Sequence, residues 1–210
     1  FIESTPATAA TLATGAYHVY STASGDATNP MFDPAPRALA AHPSFLADAQ
    51  RRADNTLDLR TSKVATSTTT ITSQGISSNT RLNIAATNTA PIALIRNEEL
   101  LLLRAEAYIG LGNRSAAIAD LNVIRTVAGG LPALDPAFAG NLTDELLYNR
   151  RYSLFGEYGH RWVDMRRYGR LAQLPKFAPT HRIYQIVPLP ADECNQRSPQ
   201  PKGCTQVSGI

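Results

Sequence analysis

At 210 residues, 43% of them hydrophobic and 18% charged, the chain has the composition of a folded protein and the length for one sizeable core or two small ones. No run of about 18 uncharged apolar residues occurs; the most strongly apolar stretch, residues 100–103, sits between Glu99 and Arg104 and is too short, so no segment reads as a transmembrane helix. The net charge of +3 is mild, and although Arg150, Arg151, Arg161, Arg166, Arg167 and Arg170 concentrate it, no known nucleic-acid reading motif accompanies them; pairing with nearby acids and packing of their stems on the core is the favoured reading, and no nucleic-acid partner is expected.

Phe1-Ile2-Glu3 lacks an initiator Met and no signal-type segment follows, which reads as a processed chain or an excised fragment whose export signal or lipid anchor lies upstream. Up to about residue 90, Thr, Ser, Ala and Asn dominate. Asp33-Pro34-Ala35-Pro36 reads as a turn or extended segment, residues 44–52 as a short helix capped by Ser44, and the Thr-rich alternation of residues 65–72 as an exposed strand or hairpin. After residue 90 helical signals sharpen. Residues 96–111 are rich in Leu, Ala and Glu and stop at Gly112; a second helix is expected from a Ser115 cap to about Ala128, stopped by Gly129-Gly130. So short a connection makes the pair antiparallel, and Ala105, Tyr108, Gly112, Ala117, Leu121 and Ile124 fall at tetratricopeptide offsets. One such hairpin cannot bury both of its apolar faces, so other segments must cover it. A third helix is expected from Thr143 to near Gly156, a short fourth over residues 161–171, and an extended, irregular tail from Tyr184.

Two segments carry a family resemblance. The first is Asn97-Glu98-Glu99-Leu100-Leu101-Leu102-Leu103-Arg104-Ala105-Glu106-Ala107-Tyr108 with the helix ending Leu121-Asn122-Val123-Ile124-Arg125. The second is Asn149-Arg150-Arg151-Tyr152-Ser153-Leu154-Phe155-Gly156-Glu157 with Arg161-Trp162-Val163-Asp164-Met165-Arg166-Arg167. They resemble the helical hairpin and the long Arg-rich signature near the C-terminus of SusD/RagB proteins; Tyr184 to Pro190 resembles that family's closing segment, and Asp58-Leu59-Arg60 its upstream Asp-x-Arg. Asn149 and Ser153 stand where the family usually carries Glu, which leaves Arg150 or Arg151 to pair differently or to be solvated. The resemblance implies a mainly α fold, an α-α superhelix with one tetratricopeptide-like hairpin, long irregular loops and a small β-hairpin. Residues 96–210 form its helical region, and residues 1–95 a loop-rich segment of the same domain.

The resemblance further implies a surface lipoprotein of the outer membrane, anchored through an upstream lipid, that partners a SusC-like TonB-dependent transporter and captures glycans or other oligomeric nutrients. Tyr17, Tyr20 and Phe32 are the candidate sugar-stacking residues, with Asp26 and Asn29 to bond hydroxyls; packing of these aromatics on further chain is the competing reading. Glu157, Arg161, Trp162, Asp164 and Arg166 read as a structural signature of ion pairs around a large ring rather than a ligand site. Cys194 and Cys204, ten apart and without histidine partners, are expected to form a disulfide, which points to an oxidising compartment, and not a zinc site. His18, His42, His160 and His181 are scattered and no catalytic motif occurs; His160, near Glu157 and Asp164, is the strongest acid–base candidate but sits inside the signature. No catalysis, cofactor or metal is expected. A tetratricopeptide-type protein adaptor is the alternative function.

Overall fold

A computed structural model describes residues 7–33, 39–73, 76–187, 189–200 and 204. Pro34, Ala35, Pro36 and Pro188, and with them most of the expected proline turn after Asp33, lie outside the described residues. The chain divides into two compact units, Phe1–Arg161 and Trp162–Ile210.

The first unit opens with helix α1 (Ala9–Ala13), capped by Thr8, and strand β1 (Gly15–His18). Strand β1 pairs antiparallel with β4 (Ile92–Arg96), a long-range ladder with a bulge between Ala16 and Tyr17. A short α2 (Ser44–Ala47) follows. It ends five residues earlier than the sequence suggests and Ser44 does not cap it; instead the Ser44 amide donates to His42 Nδ1 at 3.1 Å. The Thr-rich stretch forms β2 (Val64–Ser73), which pairs with β3 (Ile76–Leu82) in the anticipated hairpin.

Helices α3 (Asn97–Gly110) and α4 (Arg114–Val123) form a helical hairpin. Glu98 and Glu99 occupy the first turn of α3, where the helix dipole favours carboxylates. Gly112 has φ +72, a left-handed conformation that a side chain would strain, so it suits the turn. The cap of α4 is Asn113, not Ser115: its side chain accepts from the Ala116 amide. Beyond Val123 the helix widens into a π-turn over Ile124–Ala128 before the Gly129-Gly130 stop. Helix α5 (Leu142–Ser153) is likewise capped by Asn141, whose side chain accepts from the amides of Thr143 and Asp144, and not by Thr143.

The main core gathers Leu12, Leu101, Leu102, Ala105, Ala117, Leu121, Ile124 and Leu146, so α1, α3, α4 and α5 share it. Ala105 and Ala117 are fully buried, and their small side chains let the two helices approach closely. A second cluster packs Ala41, Phe45 and Val64 on Tyr152, and thereby fastens α2 and the hairpin to α5.

Helix α6 (His160–Arg167) crosses the unit boundary. It is shorter than expected, and a 3₁₀ turn at Leu171–Gln173 follows. The tail holds one unanticipated helix, α7 (Ala191–Gln196), whose Cys194 is disulfide-bonded to Cys204. Among the described residues no helix is long and apolar enough to cross a membrane.

Candidate ligand site and the charged scaffold around it

The five residues proposed for ligand contact lie on β1 and the loop after it. Tyr17 is half-buried in the β1–β4 ladder, and its hydroxyl donates to the Ala13 carbonyl. Tyr20 is half-buried too, and the edge of its ring system meets His18 with centroids 4.6 Å apart. Asp26 sits exposed at the loop tip, while Phe32 is half-buried at its far end. Asn29 is different: only 3% exposed, it donates through Nδ2 to the Ala90 carbonyl at 2.7 Å and accepts from the Met31 amide at 2.8 Å. Its amide nitrogen thus ties the loop to the segment before β4 while its oxygen braces the loop internally, and neither end is turned to solvent. Beside the loop, Val19 and, on β4, Leu94 stay exposed, so the β1–β4 ribbon has an apolar outer surface.

Helix α5 acts as a hub of buried charge. Arg60 and Asp58 form a bidentate pair, Nε to Oδ1 at 2.9 Å and Nη2 to Oδ2 at 2.6 Å, with Asp58 fully buried and Arg60 nearly so. The remaining Nη1 donates to Asn149 Oδ1 and Ser153 Oγ, both at 3.0 Å, and the Tyr148 hydroxyl donates to Asp58 Oδ2 at 2.9 Å. The two positions where the family pattern has carboxylates thus supply neutral acceptors to a guanidinium whose charge Asp58 already balances. Asn149 also donates to Glu145 Oε1 at 2.8 Å, and Glu145 accepts from Arg125, which reaches Gln50 Oε1 and the Pro132 carbonyl as well. A buried charge in such surroundings must be paired, and each of these is.

The neighbouring arginines of α5 point elsewhere. Arg150 binds Glu106 of α3 at 2.8 Å; Arg151 binds Asp48 at 2.8 Å and Ser44 Oγ at 3.0 Å, and lies 5.6 Å from the Tyr152 ring centre. The Tyr152 hydroxyl donates to the Phe45 carbonyl at 2.9 Å. Burial pushes its pKa up to about 12, and burial raises that of Tyr148 as well.

Glu157 accepts from Arg96 at 2.8 Å and lies 3.7 Å from Lys63; both cations also donate to the Ser153 carbonyl, and Arg96 pairs with Glu98. Burial, reinforced by Arg96, lowers the Lys63 pKa to about 8. Arg161 donates to the Leu147 carbonyl at 3.4 Å, and His160 Nε2 lies 3.6 Å from Glu99. In the second unit Asp164 is buried, and half-buried Trp162 donates to the Tyr184 carbonyl at 2.8 Å while exposed Arg166 stacks on its ring at 5.3 Å. Glu157 is thus held by Arg96 and Lys63 rather than by the signature's own arginines, Arg161 meets the Leu147 carbonyl, and Trp162 has Arg166 over its ring.

Sequence reasoning placed Asp58 and Arg60 only as a matched motif and gave Lys63, Arg96 and Gln50 no role, because their partners lie tens of residues away. The first unit also carries an open groove of about 480 Å³, lined in part by Arg52, Thr56, Leu59, Thr61 and Thr66, away from the five loop residues.

The SusD family model matches residues 49–206, and so begins well upstream of the two segments that carry the resemblance by eye. A SusD superfamily protein from Bacteroides vulgatus ATCC 8482 is similar at 22% identity over 64% of this chain and 34% of its own length, with a TM-score of 0.52, a likeness of fold. The solved protein BT4246 shares 34% identity over 50% of this chain and 16% of its own, with a TM-score of 0.37. The chain thus spans about a third or less of the solved proteins it resembles. No curated protein matches it.

Proposed function

The chain belongs to the SusD/RagB family, and from that premise we propose that it is a non-catalytic nutrient-binding component of a TonB-dependent outer-membrane uptake system. In this reading it captures an oligosaccharide and passes it to a SusC-like transporter, held at the cell surface by a lipid anchor outside the chain described. The observation that carries the reading is the family match over residues 49–206, which runs through the whole buried charge network. That network supports a scaffold role for the signature: Asp58, Glu145 and Glu157 each bind a fixed cation. A carboxylate held so is neither a poised acid nor a free base. The hairpin of α3 and α4 is the single tetratricopeptide-like repeat of an α-α superhelix.

Within this proposal Tyr20 and Phe32 offer the sugar-facing rings and Asp26 the acceptor for hydroxyls, with Tyr17 beneath them in the ribbon. Asn29 holds the loop in shape. The test is titration of the chain with a panel of neutral oligosaccharides, repeated on Tyr20→Ala and Phe32→Ala. Binding of one glycan class, weakened about tenfold or more by either change at unaltered melting temperature, supports the site; the loss of an aromatic stack of about 1–2 kcal/mol has this size. Unchanged binding in both variants removes the loop from the site.

A further inference from the structure

We infer that the C-terminal unit carries a binding groove of its own, which takes the carboxylate of an acidic sugar residue. This deepens the nutrient-binding reading and rests on it. The groove measures about 390 Å³ and is lined by Arg166, Gly169, Leu171, Ala172, Gln185 and Ile186. Its size falls in the range of about 300–1,000 Å³ common to small-molecule sites.

Arg166 supplies the recognition. Its guanidinium carbon lies 5.3 Å from the Trp162 ring centre, and this stack is its sole interaction among the described residues. A guanidinium stacked on a ring has its plane fixed and its N–H edge open, the geometry that grips a planar carboxylate through two parallel bonds. Trp162 is itself anchored, since Nε1 donates to the Tyr184 carbonyl at 2.8 Å. That bond ties Tyr184 to α6, and the next two residues, Gln185 and Ile186, line the groove together with Arg166. The Gln185 side chain is exposed and makes no hydrogen bond among the described residues, so its amide is available to a ring hydroxyl. Leu171, Ala172 and Ile186 give the groove apolar lining for the C–H face of a sugar.

Charge selects the ligand. Between residues 162 and 187 stand Arg166, Arg167, Arg170, Lys176 and Arg182 against Asp164, an excess of four positive charges. Such a field concentrates anions at the groove and does nothing for a neutral sugar. A signature built only to hold a scaffold has no need of Arg166 outside its ion pairs, which is where the structure puts it.

The experiment is heteronuclear NMR titration of the chain with trigalacturonate, with a neutral galactose trimer and with trialanine, on the parent, Arg166→Gln, Arg166→Lys and Gln185→Ala proteins. Trigalacturonate is expected to bind about tenfold or more tightly than the neutral trimer, with shifts centred on residues 166–172 and 184–187. Arg166→Gln should weaken it about tenfold, as loss of a charge-assisted bond does, Arg166→Lys less so, and Gln185→Ala by about threefold. Gln185 is exposed outside any helix or strand, so its variant keeps the test open if Arg166→Gln unfolds. The inference is overturned if the neutral trimer binds the groove equally, if both Arg166→Gln and Gln185→Ala leave binding unchanged, or if trialanine takes the groove and trigalacturonate does not. Shifts confined to the Tyr20–Phe32 loop overturn this site while leaving the nutrient-binding reading intact; absence of binding by every glycan overturns both.

Discussion

Replacing Arg60 by methionine removes one cation from a buried pair while nearly preserving side-chain volume. Asp58, fully buried, then keeps only the Tyr148 hydroxyl at 2.9 Å and the residue 60 amide at 2.9 Å, and the oxygens of Asn149 and Ser153 each lose a donor. Removal of one partner from a buried ion pair costs about 3–5 kcal/mol, because the other charge stays behind uncompensated. That is a fifth or more of the stability of a typical domain, about 5–15 kcal/mol. The assay is urea unfolding followed by far-ultraviolet circular dichroism, with Asp58→Asn and the double variant completing the cycle. In the double variant the amide keeps the shape and the acceptor but not the charge, so Asp58→Asn should restore about 1–3 kcal/mol of what Arg60→Met removes, a coupling typical of residues in one network. If Arg60→Met lies within about 1 kcal/mol of the parent, or the two changes simply add, the account of α5 as the hub of a paired charge network is wrong.

Three further outcomes follow from the same geometry. Lys63 falls from its ordinary 10.5 to about 8 in the folded state, chiefly through burial, so between pH 8 and 10.5 the unfolded chain binds more protons and stability rises with pH, by up to roughly 3 kcal/mol at 1.36 kcal/mol per pH unit. Tyr148 and Tyr152, raised by burial, oppose this above pH 10, where only the unfolded chain loses their protons; urea midpoints should therefore climb from pH 8 to about 10 and then decline, and Lys63→Gln should flatten the climb. Asn149→Glu, which installs the family's usual residue, places a second carboxylate against Glu145, whose Oε1 now accepts from the Asn149 amide at 2.8 Å; a loss of about 1–3 kcal/mol in chemical unfolding is expected, and a gain in stability would show that Arg60 has room for two acids. The native, unreduced chain should yield no reaction of Cys194 or Cys204 with a thiol reagent and two equivalents after reduction, the loop closed being short enough that reduction lowers stability by about 2–3 kcal/mol; reaction of both thiols before reduction contradicts the pairing.

What the sequence made legible was local. The good helix formers of residues 97–110, the positive-φ glycine at 112 and the Thr alternation of β2 act within a few residues of themselves, and the structure follows them. The helix starts were misjudged by one or two residues, because Asn113 and Asn141 accept from the amides of Ala116 and of Thr143 and Asp144, so each helix is capped two residues before Ser115 and Thr143, and Asn caps as well as either. Ladder β1–β4 joins segments nearly eighty residues apart, and a four-residue strand with no alternation gives no sign of its partner. The charge network was half visible: the absence of carboxylates at Asn149 and Ser153 stood out, but that Arg60 bonds to both, across 89 and 93 residues, is written only in the fold. The candidate loop fared in the same way. Its aromatics could be read as residues able to stack, whereas the burial of Asn29 depends on carbonyls of the segment before β4.

Calorimetric titration of the chain with soluble oligosaccharides, followed by chromatography of the recovered ligand, tests the central claim most directly. The nutrient-binding account requires saturable binding of one glycan class, at micromolar to millimolar affinity, with the ligand recovered intact. Shortened ligand would contradict the non-catalytic reading, and the absence of heat with every glycan, alongside binding to a protein partner, would establish the adaptor in its place.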